Sequence, residues 1–382
     1  MTTTPAETEM SAAADAVDRA RAARPILAEH AAATEERGRP TEESRAAAEH
    51  AGAFAVTTPV EFGGLGADQR TMAQIFIELG AGCASTSWLG AVSATAKSFF
   101  FDWMPPTVQQ AVYADPNVRV CGTAMPLGRA EKVDGGYLID GRWPYASGCL
   151  DAGWATLGLA TIDGVQPKAP CLAVLPTASL AIDRTWDEAI GLRGTGSHTL
   201  VGERVFVAGD FLIGPPQGGQ SFGMRQVPVL LHTVTPLVGA ARGALDLIAD
   251  FMTAQRPVVM SPYPQRSQSP SARQLFLEAS ELVDSAEMRT LRVADMADSA
   301  DAAGMSEKEM AHAHAAGHRS AGVPARSGHD ARSARVERSR RREPAEQVLA
   351  RRRDRQPARC GKPLHPHRSA RRCTDADRRR SE

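Results

Sequence analysis

The sequence predicts an α+β protein in three parts: an N-terminal helical domain, a middle antiparallel β-barrel or sheet domain, and a C-terminal helical bundle that stops short of completion. Three observations predict it. Apolar residues recur at helical spacing up to about residue 113, short strand-like runs with Asp-Gly turns fill 118 to 207, and helical spacing returns at Val227. The corresponding domain boundaries are 1–117, 118–215 and 216–304, with a further segment at 305–382.

Each element has its own warrant. Residues 11 to 51 place Val17, Ala20, Ile26, Leu27 and Ala31 on one stripe, broken around Gly38 and Pro40, which reads as two helices. The phrase from Thr57 to Gly66 is too rich in glycine for an element interior. Met72, Ile75, Phe76 and Leu79 mark a helix after Asp68, and Trp88, Leu89, Val92 and Ala96 mark a second from Ser85 to Phe101. Both are apolar or small on most faces, which places them inside a bundle. Pro105-Pro106 introduces a short helix ending near Tyr113.

From Val118 the period becomes strand-like. Strands are expected at 118–124, 136–143, 154–161, 171–176 and 198–207, with turns at Asp134-Gly135-Gly136 and Asp163-Gly164. Leu230, Leu231, Val234, Leu237, Val238, Ala241 and Ile248 then recur at three and four, predicting a long buried helix to about Thr253. After a proline-rich loop, Ser269-Pro270 opens another helix to about Ala302, with Leu275, Phe276, Ala279, Leu282 and Val283 on one side.

Charge separates the last segment from the rest. The chain of 382 residues has a formal net charge of zero, yet residues 311–382 hold 20 Lys and Arg against 8 Asp and Glu. Residues 1–310 hold 24 against 36. The basic segment has no Phe, Tyr, Trp, Ile or Met, so it cannot bury enough apolar area to offset the entropy of ordering its backbone, and disorder is expected. Its composition also matches an out-of-frame reading of a coding region rich in G and C, against the alternative of a divergent natural tail. The two long helices before it then lack a partner for their apolar faces.

Several function classes are disfavoured. The N-terminus lacks a basic region followed by an apolar run, and no stretch approaches the roughly 20 apolar residues of a membrane span, so a cytoplasmic protein is expected. The six cysteines form no Cys-x-x-Cys pair, and His30, His50, His198 and His232 lie too far apart for a metal site. No Gly-x-Ser-x-Gly elbow is present. The arginine runs 351–353 and 378–380 can bind nucleic acid by counterion release, but without interleaved aromatics or zinc spacing.

Two phrases can carry chemistry. Gly141-Arg142-Trp143-Pro144-Tyr145-Ala146-Ser147-Gly148 sets two large aromatics, a hydroxyl and glycines at a strand end, a group able to hold a flat cofactor. Read alone, it is also an ordinary hairpin end with core aromatics. Ile190 to His198, with Arg193, Gly194, Thr195 and Ser197, is a plausible anion cradle or, equally, a tight structural turn.

Taken as a set, these phrases, with Glu61-Phe62-Gly63-Gly64-Leu65-Gly66 and Gly135-Gly136-Tyr137, resemble the acyl-CoA dehydrogenase superfamily over about residues 15 to 300. The nearest branch is the two-component flavin-dependent monooxygenases. The resemblance implies a flavin, FMN or FAD, held between sheet and bundle. It implies that Cys121, Gly122 and Thr123 approach the flavin, that Trp143 to Ser147 flank its ring, and that Ser147 is the catalytic hydrogen-bonding residue. Arg193, Gly194, Thr195 and Ser197 would lie near the phosphate region, and Arg256 would present an arginine to the cofactor, although that local match is poor. No metal is implied. The activity implied is hydroxylation of an aromatic or polyketide-like substrate with O2, using a separate flavin reductase and a homo-dimer or homo-tetramer. The alternatives are an acyl-CoA dehydrogenase using FAD, for which no carboxylate base is evident, and an inactive homologue or nucleic-acid-associated protein acting through the basic tail.

Overall fold

The computed structural model describes residues 5–214, 222–254 and 256–303. The basic segment, with its expected disorder, lies outside the described residues.

The first helix, α1 (Pro5–Arg37), ends at Gly38, whose φ of +67° is open to a residue without a Cβ. Thr41 caps α2 (Glu42–His50) by accepting from Ser44 N at 3.2 Å, and Asp68 caps α3 (Gln69–Gly82) by accepting from Thr71 N at 2.7 Å. After α4 (Ala84–Phe100), Pro106 opens α5 (Pro106–Val112) at a position where its missing amide costs nothing. The loop through 57–66 is fastened by the fully enclosed Lys97 of α4. Its Nζ donates to Phe54 O (2.6 Å), Thr58 Oγ1 (3.0 Å) and Pro116 O (3.0 Å), three acceptors for the three protons of an ammonium, while burial pushes its pKa down to about 7.

Seven strands follow: β1 (Val120–Val133), β2 (Gly136–Trp143), β3 (Trp154–Ile162), β4 (Leu172–Pro176), β5 (Ala181–Asp183), β6 (Thr199–Ala208) and β7 (Leu212–Ile213). They form one sheet in the order β5-β6-β2-β1-β3-β4-β7. An all-antiparallel sheet was the expectation; the observed sheet is mixed, because β3 runs parallel to β1, pairing Val120 with Trp154 through Ala130 with Ile162. The physical reason is the connection at 144–153. The Asp134-Gly135 turn makes β2 antiparallel to β1, and the chain then crosses to the opposite edge of β1 and enters β3 in β1's own direction. Also beyond the expectation, β1 continues past Met125-Pro126 to Val133 through register shifts between Thr123 and Arg129.

Two long helices, α6 (Phe222–Thr253) and α7 (Pro270–Ala303), complete the described chain. Pro236 removes the amide that would bond His232 O, and Thr235 Oγ1 donates to that carbonyl at 3.1 Å instead. The helices α3 and α6 cross at backbone contact: a Cβ on Gly239 would lie 2.3 Å from Ile77 O, and one on Gly243 2.2 Å from Ala81 O. Buried Glu78 of α3 meets Arg21 and Arg24 of α1 and Arg242 of α6 at 3.3–3.4 Å, tying three helices together. No described helix is long and apolar enough to cross a membrane.

Candidate functional site

The site begins where β2 stops. Pro144 has no amide to continue the ladder, and Tyr145 turns the chain with a φ of +60°, a conformation that costs a bulky residue energy. The chain beyond it is pinned to the second glycine-rich segment: Ala146 N donates to His198 O at 3.0 Å and Gly148 N to Thr195 O at 2.8 Å. The two phrases singled out in the sequence therefore meet, although they lie some fifty residues apart.

Their hydroxyls form a chain with one direction. Trp88 Nε1, on α4, lies 3.2 Å from Ser147 Oγ; Ser147 Oγ is 2.7 Å from Ser197 Oγ; Ser197 Oγ is 2.7 Å from Thr195 Oγ1; and Thr195 Oγ1 is 2.7 Å from Leu192 O. An indole can only donate and a carbonyl can only accept, so the protons between them must all point from Trp88 towards Leu192. Ser147 gives its proton inward and keeps one lone pair. Ser147 is 8 % exposed, against 1 % for Thr195 and 4 % for Ser197, so it is the most exposed of the three hydroxyl residues, and what it has left to offer is an acceptor.

Arg193 N donates to Glu35 Oε2 at 2.8 Å, and Glu35 also bonds the Ser85 hydroxyl, which locks the 193–195 turn to α1 and α4. A Cβ on Gly194 would stand 2.6 Å from Thr34 Cγ2, so only glycine fits there. Arg193 Nε is buried without a hydrogen-bond partner. A cavity of about 20 Å³ beside Ser147 and Gly148 is lined by Leu89, Ser93, Arg119 and Val120. Asp151 also lines it, but Arg39 holds that carboxylate at 3.0 Å.

Other candidates are placed as follows. Cys121 is enclosed in the sheet core, where burial pushes its thiol up to about 12. Gly122 has a φ of +120° and would put a Cβ 2.1 Å from Thr156 O, so its identity is set by the parallel β1–β3 contact. Thr123 is half-buried and accepts from Met125 N at 3.2 Å, leaving its own proton for another acceptor. Trp143, expected beside a flat cofactor, is instead fully buried, its indole donating to Gly158 O at 2.8 Å and filling the space left by Gly128 and Gly141. Tyr145, the other aromatic of the phrase, is 64 % exposed. Arg256 is exposed in the connection between α6 and α7, and no described hydrogen bond brings its side chain to the hydroxyl chain. His232 is a buried bridge from α6 to Thr95 Oγ1 (2.7 Å) and Gln69 Oε1 (3.2 Å). Among the described residues no cluster of His, Cys, Asp and Glu can hold a metal ion.

Trp88 and Glu35 were not singled out from sequence. Each acts across 59 and 158 residues respectively, and local spacing carries no trace of such a contact.

Comparison with known proteins agrees with this architecture. Residues 8–101 match the family model for the acyl-CoA dehydrogenase N-terminal domain. The chain is 33 % identical to the oxygenase component of an FADH2-dependent resorcinol hydroxylase from Rhizobium sp. (strain MTP-10005) over 65 % of its own length and 66 % of that protein's. It is 30 % identical to the oxygenase subunit HsaA of a flavin-dependent monooxygenase from Rhodococcus jostii (strain RHA1), covering 69 % of this chain and 72 % of that one. The crystal structure of a 3-HSA hydroxylase from Rhodococcus sp. RHA1 superposes with a TM-score of 0.67 at 28 % identity, over 77 % of this chain and 78 % of that chain. The chain thus spans about two thirds of the length of the curated relatives. Sheet, helices and sequence together place it in the acyl-CoA dehydrogenase superfamily, on the branch of the two-component flavin-dependent monooxygenases.

Proposed function

We propose that this chain is the oxygenase component of a two-component monooxygenase, taking reduced flavin from a separate reductase and hydroxylating an aromatic or polyketide-like substrate. One observation carries the reading: the fixed direction of the hydroxyl chain from Trp88 to Leu192, which leaves Ser147 as an acceptor. A reduced flavin ring carries an N–H where the oxidised ring has a bare nitrogen, so an accepting serine suits the reduced form. The residues present fit such a ring. Tyr145 offers an exposed aromatic face and Ser147, two residues on, a lone pair. When bound, the flavin supplies the two electrons that let one atom of O2 enter the substrate while the other leaves as water. The protein orients the ring, holds the serine proton away from it, and keeps water from the buried hydroxyls.

An acyl-CoA dehydrogenase needs a carboxylate to take the α proton. Among the described residues no Asp or Glu side chain bonds Ser147, Thr195 or Ser197, and Asp151 is engaged by Arg39. The relatives named above are oxygenase components, which supports the same choice.

The test is an anaerobic titration of the whole chain with reduced and oxidised FMN and FAD, followed by O2 and a panel of phenols with mass-spectrometric detection of product. Reduced flavin should bind at least about tenfold more tightly than oxidised flavin, about 1.4 kcal/mol, one hydrogen bond's worth. In Thr195→Val the hydroxyls lose the carbonyl that ends the chain, their order is free to reverse and that preference should shrink. In Trp88→Phe the Leu192 carbonyl still sets the order and the preference should persist. Equal affinity for both redox forms, or bleaching of bound oxidised flavin by an acyl-CoA, would remove this reading.

A further inference from the structure

Beside the hydroxyl chain stands an aromatic corner. Trp186 lies after β5, with its ring centroid 6.0 Å from that of Tyr145 and the two planes at 85°. Its Nε1 donates to Leu192 O at 3.0 Å, which fixes the far side of the indole. Its backbone amide donates to His198 Nδ1 at 3.2 Å, and the carbonyl of the same histidine accepts from Ala146 N at 3.0 Å. His198 therefore grips both walls, the Tyr145 strand end through its backbone and the Trp186 segment through its imidazole. A ring nitrogen that accepts carries no proton, so the proton sits on Nε2, which is buried without a hydrogen-bond partner, Asp187 Oδ1 being 3.9 Å away.

We propose that His198 is a positioning residue that holds Trp186 edge-on to Tyr145, and that this corner seats one flat aromatic ring beside Ser147. The identity of that ring, flavin or phenolic substrate, rests on the function proposed above; the role of His198 does not. An edge-to-face pair with one exposed face is a fitting wall for a third ring, since its faces and edges carry opposite partial charge. Adding a proton to Nδ1 would set two donors against each other and release Trp186. The charged and titratable groups facing the imidazole are Arg184, Asp187 and Asp183, with the Cys149 thiol against its backbone. Burial and Arg184 hold the imidazole pKa below its ordinary value, against Asp187 and Asp183, so the neutral form persists at neutral pH and fails on acidification.

The role of His198 is tested without flavin. The near-ultraviolet circular dichroism band lost in Trp186→Phe defines the corner in the whole chain. His198→Leu should lose that band. His198→Asn, whose amide oxygen can accept from Trp186 N, should keep it. Stepwise acidification from about pH 8 should erase the band in the parent at a pH where His198→Asn still keeps it. A band unchanged in His198→Leu, or lost equally in both variants, overturns the assignment. The seat is tested by fluorescence titration with FMN, FAD and phenol separately. The ring that belongs there should bind His198→Leu about tenfold more weakly than the parent and His198→Asn within about twofold. Loss for the flavins alone assigns the corner to the cofactor, loss for phenol alone assigns it to the substrate, and no loss for any of them overturns the seat. A parent chain that binds no flavin sinks the proposed function, while the dichroism band still decides the role of His198.

Discussion

The sheet and the pair of long helices handle apolar surface in opposite ways. In the sheet, one indole closes the core: Trp143 is fully buried over Gly128 and Gly141, with Ile139, Leu157 and Leu200 sealed around it. In the helices, Leu230, Val234 and Leu237 of α6 and Leu275, Leu282 and Met288 of α7 remain exposed, and a groove of about 900 Å³ opens between α1, α3 and α6. The described residues thus satisfy the sheet's own demand for burial and leave that of α6 and α7 open. Chemistry that depends on the end of β2 belongs to the self-sufficient part, and chemistry that needs the helical faces depends on what else covers them.

The largest effect should come from the closed side. Trp143→Ala should cost about 3–5 kcal/mol in chemical denaturation, the range for deleting a large core aromatic; a loss under about 1 kcal/mol would show that the sheet core is not closed around this ring. The next effect lies where α6 packs on α3 and α4, at His232. Burial holds its pKa down to about 3, so the folded state keeps it neutral while the unfolded chain takes up a proton below its ordinary value of 6.5. The sign follows: stability is full above about 6.5 and falls as pH drops towards 3, with a slope of up to about 1.4 kcal/mol per pH unit. Denaturation midpoints from pH 7.5 to 4.5 in the parent and in His232→Gln measure it, and identical slopes would remove His232 as the cause. The smallest effect should come from the open side. Leu282→Lys with Met288→Lys should change stability by no more than about 0.5 kcal/mol while reducing self-association in light scattering. A loss of several kcal/mol would mean that those positions are covered after all.

The long helices were legible because their apolar residues repeat over many turns, and α3, α4, α6 and α7 stand close to their expected bounds. The strands β5 and β7, of three and two residues, were not, because so short a run is defined by its partner and not by its own pattern. The parallel pairing was hidden for the same reason: the Asp134-Gly135 turn speaks for β1 and β2 alone. At the site, Ser147, Thr195 and Ser197 announced themselves as hydroxyls beside glycines. Trp143 and Tyr145 looked alike in sequence, and the strand period alone would set both on one face; the distinction lies in Pro144. Ile139, Gly141 and Trp143 share the inward face, and Pro144 ends the strand before Tyr145. The grip of His198 on Trp186 could not be read, since an imidazole accepting a backbone amide leaves no motif.

The crossover from β2 to β3 has a kinetic consequence. Tyr145, Ser147 and Gly148 sit inside the very segment that carries the chain from one edge of β1 to the other, so the pocket wall cannot take shape on a hairpin alone. It must wait until β1 has neighbours on both sides and the distant 193–198 segment has returned to meet it. Non-local closures of this kind are slow, and the newly made chain will acquire its helices well before the 144–148 and 193–198 segments meet.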